Sequence, residues 1–179
     1  DINPHVIAMW RGIQKHTFII PEKVSEKEYY DMKADCLSGG GKYDSAILGY
    51  VGNACSNGSG WWNGYAHFNP KKNEDHIAEA RRGLLKHIEE FKGLYFAKFI
   101  HGSYDKFDYP DNSFIYCDPP YASTKGYNKD GFDSLAFWDW CRDMVEKGHK
   151  VMVSEYDAPY DFVCVWEKKR KDGMGTCKE

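Results

Sequence analysis

The chain has 179 residues, which is enough for one domain with a modest insertion and too few for two full-sized domains. Its composition, 42% hydrophobic and 28% charged, is typical of a globular protein, and no apolar run is long enough to predict a membrane span. The formal net charge is −3, which excludes a protein that holds nucleic acid through bulk positive charge alone. The six cysteines form no CxxC pair and the seven histidines show no metal-ligand spacing, so we expect a reduced, cytoplasmic setting and no metal.

The first half of the chain carries helix signals. Asn3 and Pro4 precede an apolar stripe and predict a helix to about residue 16. Ser25 and Glu28 have the capping-box spacing and predict a second helix, to about residue 37. The stretch 38–68 is rich in Gly, Asn and aromatic residues, which predicts loops and short elements with exposed aromatic side chains. Asn73 or Asp75 would cap a third helix that ends near residue 92, with Gly93 as its C-terminal cap.

The second half of the chain alternates strand and helix signals. Short apolar or β-branched runs predict buried strands, and a helix is predicted between two of them, from about residue 133 to 147. The predicted strands are 94–96, 99–100, 114–117, 151–153 and 162–166. This alternation predicts an α/β fold on a largely parallel sheet, and ligands of such sheets bind beyond the carboxyl ends of the strands.

The tetrapeptide Asp118-Pro119-Pro120-Tyr121 follows the predicted strand 114–117 directly. Two prolines fix φ near about −65° and remove two backbone donors, which gives a stiff, extended turn between a carboxylate and an aromatic ring. Such a turn suits a planar, amine-bearing base: the acid and a carbonyl accept hydrogen bonds from the amine, and the ring stacks on the base. The neighbouring Cys117 is interpreted as strand packing rather than as a nucleophile.

With these residues the sequence resembles the Dam-like and phage-type DNA adenine-N6 methyltransferases, and the resemblance covers most of the chain. Five segments carry it: Asp1 to Pro4, the stretch from Gly49-Tyr50-Val51-Gly52 through Gly64-Tyr65-Ala66-His67, His101 to Tyr104, Asp118 to Tyr121, and Val153 to Tyr156.

The resemblance implies an α/β fold with an incomplete Rossmann-like methyltransferase sheet and a mainly helical DNA-recognition insertion. It places the catalytic domain at 1–20 and 92–179 and the target-recognition insertion at 21–91. The implied reaction moves a methyl group from S-adenosylmethionine to the N6 amine of a flipped-out adenine, without a covalent enzyme intermediate. The implied catalytic residues are Asp118, Pro119, Pro120 and Tyr121. The implied cofactor-binding residues are Asp1, Ser103, Tyr104 and Asp118. The implied DNA-binding residues are Trp61, Trp62, Asn63, Tyr65, His67 and Tyr127.

Two departures from the family pattern qualify the resemblance. Ser103 stands where the family usually has an acid, and Asp105 is a possible substitute. A Phe-x-Gly-x-Gly segment expected upstream of Asp1 is absent, so the sequence is expected to be an internal fragment of a longer product. The expected partner is double-stranded DNA in a bacterial or phage-infected cell, with no membrane and no metal, and the sequence is compatible with a monomer. Two alternatives stay open: an RNA base methyltransferase and a non-catalytic DNA-binding remnant.

Overall fold

A computed structural model describes residues 1–91, 93–120 and 132–167. The chain divides into two compact units, here called the helical unit (1–107) and the sheet unit (108–179). Within the described residues, the helical unit contains α1 (Pro4–Gln14), α2 (Glu26–Ser38), α3 (Ser45–Ala54) and α4 (His76–Glu90), and the sheet unit contains β1 (Phe114–Cys117), α5 (Ser134–Glu146) and β2 (Lys150–Val153).

Polar side chains at the predicted positions fix where the helices begin. Asn3 Oδ1 accepts from the backbone N–H groups of His5 and Val6, at 3.0 and 3.3 Å, and starts α1. Ser25 and Glu28 form the complete capping box at the start of α2. The side chains of Asp75 and Asp133 accept from the backbone N–H groups of Ala78 and Ala136 and so cap α4 and α5. The predicted helices are therefore confirmed to within a few residues.

The core of the helical unit is built where α1, α2 and α3 meet. Its fully buried side chains include Tyr29 from α2, and Tyr50 and Val51 from α3. A side chain at Gly49 would overlap the backbone carbonyl of His5, so this glycine is what allows α3 to approach α1 so closely. Burial of this apolar surface is the main stabilising term for the unit.

The prediction for 38–68 is wrong in part, because the stretch contains the buried helix α3. Tyr50 and Trp62 are buried, although Trp61 and Phe68 do remain exposed. Two glycines of this stretch provide close packing, since Gly49 lies against α1 and a side chain at Gly52 would overlap the Trp61 ring. The C-terminal cap of α4 is Phe91 rather than Gly93.

In the sheet unit, β1 and β2 pair in parallel, with Phe114 opposite Lys150 and Cys117 opposite Val153. Ile115 is buried while Phe114 and Tyr116 are exposed, which is the alternation expected of a strand covered on one face. Helix α5 supplies further buried side chains of the unit, namely Phe137, Trp138, Cys141 and Met144. The predicted strands 114–117 and 151–153 and the helix between them are confirmed, and the fold is a mixed helix and strand fold with a small parallel sheet.

The predicted strands 94–96, 99–100 and 162–166 are wrong, because the structure has turns and irregular backbone there. Residues 93–97 close on themselves through turn hydrogen bonds such as Phe96 N to Gly93 O, at 3.0 Å. The carbonyl oxygens of Leu94 and Phe99 accept hydrogen bonds from α1 side chains. Since local turns and helix side chains engage these backbone groups, apolar composition alone did not produce a strand.

Candidate active site

The acid-Pro-Pro turn begins at the residue after β1. Asp118 is exposed, and Pro119 and Pro120 are half-buried. The backbone N–H of Ser154 donates to the carbonyl oxygen of Cys117, at 2.9 Å, directly before the turn. Because the strands are parallel, the turn and the loop that starts at Ser154 leave the sheet at the same edge. The fourth residue of the motif, Tyr121, lies outside the described residues.

The groups that the turn offers at this edge of the sheet are hydrogen-bond acceptors. An ionised carboxylate accepts hydrogen bonds through two oxygens, and a proline contributes a carbonyl acceptor without any competing backbone donor. The exposure of Asp118 leaves the turn open to solvent on at least one side. The arrangement can therefore receive an amino group that carries two donors.

The structure brings together two segments that the family resemblance assigned to the cofactor, both in the helical unit. The N–H of Gly102 donates to the carbonyl of Asp1, at 3.0 Å, and the His101 ring nitrogen Nε2 lies 3.0 Å from the carbonyl of Ile2. Asp1 Oδ1 accepts from the backbone N–H of Asn3, at 2.7 Å, so one carboxylate oxygen holds the turn into α1. Asp1 thus lies beside the residues that precede Ser103.

Ser103 and Asp105 form a local hydrogen-bonded group. The ammonium of Lys106, 2.8 Å from the Asp105 carboxylate, and the Ser103 hydroxyl hold the pKa of Asp105 below its ordinary value. Asp105 is accordingly a charged acceptor at neutral pH, two residues after the position where an acid was expected. Ser103 and Tyr104 are half-buried.

The predicted DNA contacts differ in exposure. Trp61, Asn63 and His67 are exposed, and Tyr65 is half-buried with its hydroxyl donating to the carbonyl of Val24, at 2.7 Å. Burial is also the main reason that the pKa of Tyr65 is raised. Tyr127 lies outside the described residues.

Trp62 stands apart from the other four described contacts. It is 5% exposed and packs edge-on against Tyr29, with the ring centroids 5.2 Å apart. Its indole Nε1–H has no hydrogen-bond partner among the residues that the structure describes. This placement gives the Trp62 side chain a packing role, so a DNA contact at this loop would fall to the exposed residues.

Sequence reasoning missed Cys141, the neighbour of Cys117. Cys141 lies on the buried face of α5 and Cys117 at the end of β1. A hydrogen bond that the Cys141 thiol donates to Cys117 raises the pKa of Cys141, as burial also does, and the same bond lowers the pKa of Cys117. Cys141 is buried and Cys117 half-buried, which agrees with the interpretation of Cys117 as a packing residue.

Comparison with known protein families gives the chain its class. The model of the D12 class N6 adenine-specific DNA methyltransferases matches residues 1–168. The chain therefore belongs to the family of D12 class N6 adenine-specific DNA methyltransferases. A comparison with curated proteins found no match. The resemblance seen in the sequence is confirmed, as is the predicted activity, the methylation of adenine N6 in DNA, and nothing favours the RNA or non-catalytic alternatives.

Two further expectations concern metals and membranes. Across 1–91, 93–120 and 132–167, no three His, Cys, Asp or Glu residues are grouped so that they could hold a metal ion. Among the helices in these same ranges, none combines the length and the apolar character needed to span a bilayer.

Proposed function

We propose that this methyltransferase uses S-adenosylmethionine as its donor and the acid-Pro-Pro turn as the clamp for the target amine. The observation that carries the proposal is the placement of Asp118 directly after β1, at the carboxyl edge of a parallel strand pair. Open α/β sheets bind their ligands at this edge. The finer fold assignment, a Rossmann-like sheet, is part of the same proposal.

The clamp would act on the transition state. The adenine amine is a weak nucleophile because its lone pair is delocalised into the ring. Hydrogen bonds from the amine to the Asp118 carboxylate and the Pro119 carbonyl would favour a tetrahedral nitrogen and stabilise the positive charge that develops on it. Prolines at 119 and 120 hold the acceptors in place before the base arrives, which is where rigidity contributes to the rate.

The base must leave the duplex to reach this clamp. An amine inside a stacked base pair is inaccessible, and extrusion costs a few kcal/mol, part of which an aromatic ring can return by stacking. We assign the stacking ring to Tyr121 and a closing contact to Tyr127. The roles proposed for both tyrosines rest on the motif and on family resemblance.

The polar groups beside Asp1 suit the binding of the cofactor. Asp1 keeps one carboxylate oxygen on Asn3, and a carboxylate can accept a further hydrogen bond, for instance from a ribose hydroxyl, through its other oxygen. Ser103 and Tyr104 follow on the adjacent segment, and Asp105 adds a charged acceptor. We propose that Asp1, Ser103 and Tyr104 bind S-adenosylmethionine, with Asp118 as a further contact. When bound, the cofactor supplies an electrophilic methyl group on a sulfonium.

We also propose that residues 21–91 recognise DNA, while 1–20 and 92–179 form the catalytic domain. Within the recognition region, the loop with Trp61, Asn63, Tyr65 and His67 presents aromatic and amide side chains. Aromatic faces stack on bases, and amides pair with base edges. The five described cysteines carry free thiols, which suits a reducing cytoplasm, and we propose a monomer there in a bacterial or phage-infected cell.

The test is a transfer assay that identifies donor, acceptor and product together. The protein is incubated with S-adenosylmethionine labelled on its methyl group and with either unmethylated duplex DNA or structured RNA, and the nucleosides are separated after digestion. We expect label in N6-methyladenine from duplex DNA. Label only in RNA would favour an RNA methyltransferase, and no label together with no calorimetric heat of cofactor binding would favour a non-catalytic remnant; either result refutes the proposal.

A further inference from the structure

Three helices of the helical unit bring a thiol, an imidazole and a hydroxyl into one hydrogen-bonded row. His5 lies in the first turn of α1, Cys36 in the last turn of α2, and Ser45 at the first position of α3. Cys36 Sγ lies 3.6 Å from His5 Nε2, and Ser45 Oγ lies 2.7 Å from His5 Nδ1. All three residues are half-buried, so the row is held by packing and remains accessible to small molecules.

The packing of α3 positions the imidazole on two sides. Gly49 allows α3 to contact the backbone of His5, which brings Ser45 to the Nδ1 side of the ring. Gly52 leaves room for the Trp61 indole, which stacks on the imidazole at 5.9 Å between centroids and 15° between planes. Gly49 and Gly52 thus position this row as well as the packing of α3.

This geometry is that of an activated nucleophile. When His5 carries its proton on Nδ1, that N–H donates to Ser45 and Nε2 is the acceptor that faces the Cys36 thiol. Transfer of the thiol proton to Nε2 gives a thiolate beside an imidazolium, and the indole face stabilises the positive ring. A thiol, a base within hydrogen-bond reach and a third group that orients the base together define the arrangement that makes side chains nucleophilic.

We propose that Cys36, His5 and Ser45 form a reactive-thiol site, distinct from the methyl-transfer residues, at which Cys36 is oxidised by small hydroperoxides. The thiolate sulfur attacks one peroxide oxygen; the S–O bond forms and the O–O bond breaks. Cys36 is oxidised to a sulfenic acid and the peroxide is reduced. With hydrogen peroxide, the departing hydroxide takes the proton from the His5 imidazolium and leaves as water.

The experiment treats the whole chain with limiting hydrogen peroxide, traps sulfenic acid with dimedone and quantifies each cysteine by peptide mass spectrometry. Cys164 is the internal reference, since it is exposed and its thiol donates to the Trp166 carbonyl oxygen, at 3.5 Å. Cys55 is fully buried and reports unfolding. We expect Cys36 to be trapped about 10-fold more than Cys164 in the wild type. We expect His5→Gln to remove this excess and Ser45→Ala to reduce it in part.

Two results would overturn the site: trapping at Cys36 no greater than at Cys164, or excess trapping that survives His5→Gln while Cys55 stays protected. If His5→Gln exposes Cys55, the decision passes to the folded wild type, in which the rates of alkylation of Cys36 and Cys164 by iodoacetamide are compared by peptide mass spectrometry. Faster alkylation of Cys36 supports the proposal. Alkylation of Cys36 no faster than that of Cys164 refutes it.

Discussion

The core of the helical unit and the strand β1 of the sheet unit bury their aromatic side chains to different extents. In the helical unit, Tyr29 and Tyr50 are fully buried, and each packs against further aromatic rings. In the sheet unit, Phe114 and Tyr116 of β1 are 65% and 59% exposed, and the residues after β2 include the exposed Val163 and Trp166. Packing on all sides therefore holds the aromatic core of the helical unit, whereas the sheet unit presents the chemical motif on a strand that is buried on one face only.

This difference predicts that substitutions in the two places affect different properties, the stability of the fold in one and the rate of the reaction in the other. A tightly packed core responds to every change of volume, while a proline-stiffened turn keeps its shape through its own covalent restriction. Substitutions in the packed core of the helical unit should act mainly on unfolding, and those in the turn mainly on turnover. Matched pairs of substitutions test this contrast.

The largest expected effect on stability is the truncation of a buried tyrosine. Tyr29→Ala should lower the free energy of unfolding by about 3 to 5 kcal/mol, because it leaves a cavity among packed rings. The matched change on β1, Tyr116→Ala, should cost less than about 1 kcal/mol, because that ring is mostly exposed. Urea unfolding followed by circular dichroism measures both. Equal losses would contradict the contrast between the units.

Glycine-to-alanine substitutions test the contact between α1 and α3. Gly49→Ala should cost about 1 to 3 kcal/mol, because the new Cβ would overlap the His5 carbonyl. Gly83→Ala in α4 meets no atom within 4 Å, and should stabilise the protein by about 0.5 to 1 kcal/mol through its helix propensity. Thermal unfolding of the two variants should move in opposite directions. A stabilising Gly49→Ala would show that the helices can separate at no cost.

A pair of hydroxyl deletions probes the polar groups of the core. The Tyr50 hydroxyl is buried and has no hydrogen-bond partner in the described part of the chain, so Tyr50→Phe should stabilise the fold by up to about 1 kcal/mol. The Tyr29 hydroxyl lies 2.8 Å from the Ser56 hydroxyl, and Tyr29→Phe should cost about 1 kcal/mol. Denaturant midpoints decide the sign in each case. Destabilisation by both changes would mean that Tyr50 has a polar partner after all.

The smallest expected effect is an acid dependence in the sheet unit. The Arg142 guanidinium, 2.7 Å from Asp161, holds the pKa of that carboxyl below its ordinary value of 3.8. Because the folded-state pKa is lowered, the stabilisation is present above about pH 4 and is lost as the pH falls through the folded-state pKa. Wild type should thus lose slightly more stability than Asp161→Asn between about pH 5 and about pH 3. Parallel pH curves would mean that the ion pair contributes nothing.

The sequence predicted the parts of the fold that local chemistry decides. Asn3, Ser25, Asp75 and Asp133 cap helices where expected, because capping needs only a side chain and the next turn of backbone. Helix α3 was missed because Gly49 has a tertiary purpose, close approach to α1, which composition does not show. Likewise, apolar runs such as 94–96 became turns because their backbone groups bond elsewhere.

The candidate sites also include features that the sequence predicted and features that it did not. The position of Asp118, directly after a strand, could be predicted because the Pro-Pro pair fixes its setting locally. The row of Cys36, His5 and Ser45 could not be predicted, because its residues are up to 40 positions apart and meet only through helix packing. The exposure of Trp61 and the burial of Trp62 also depend on tertiary packing, since the two are neighbours in sequence.

The most direct test of the clamp is the methyl-transfer rate of Asp118→Asn on duplex DNA, with Asp139→Asn as the matched control at an exposed carboxylate of α5. An amide replaces one acceptor oxygen with a donor, so it cannot match the two acceptor oxygens of the carboxylate. We predict that kcat/KM falls by about 100-fold or more in Asp118→Asn with an unchanged circular dichroism spectrum, while Asp139→Asn stays near wild type. Transfer by Asp118→Asn within a few-fold of the wild-type rate would contradict the account.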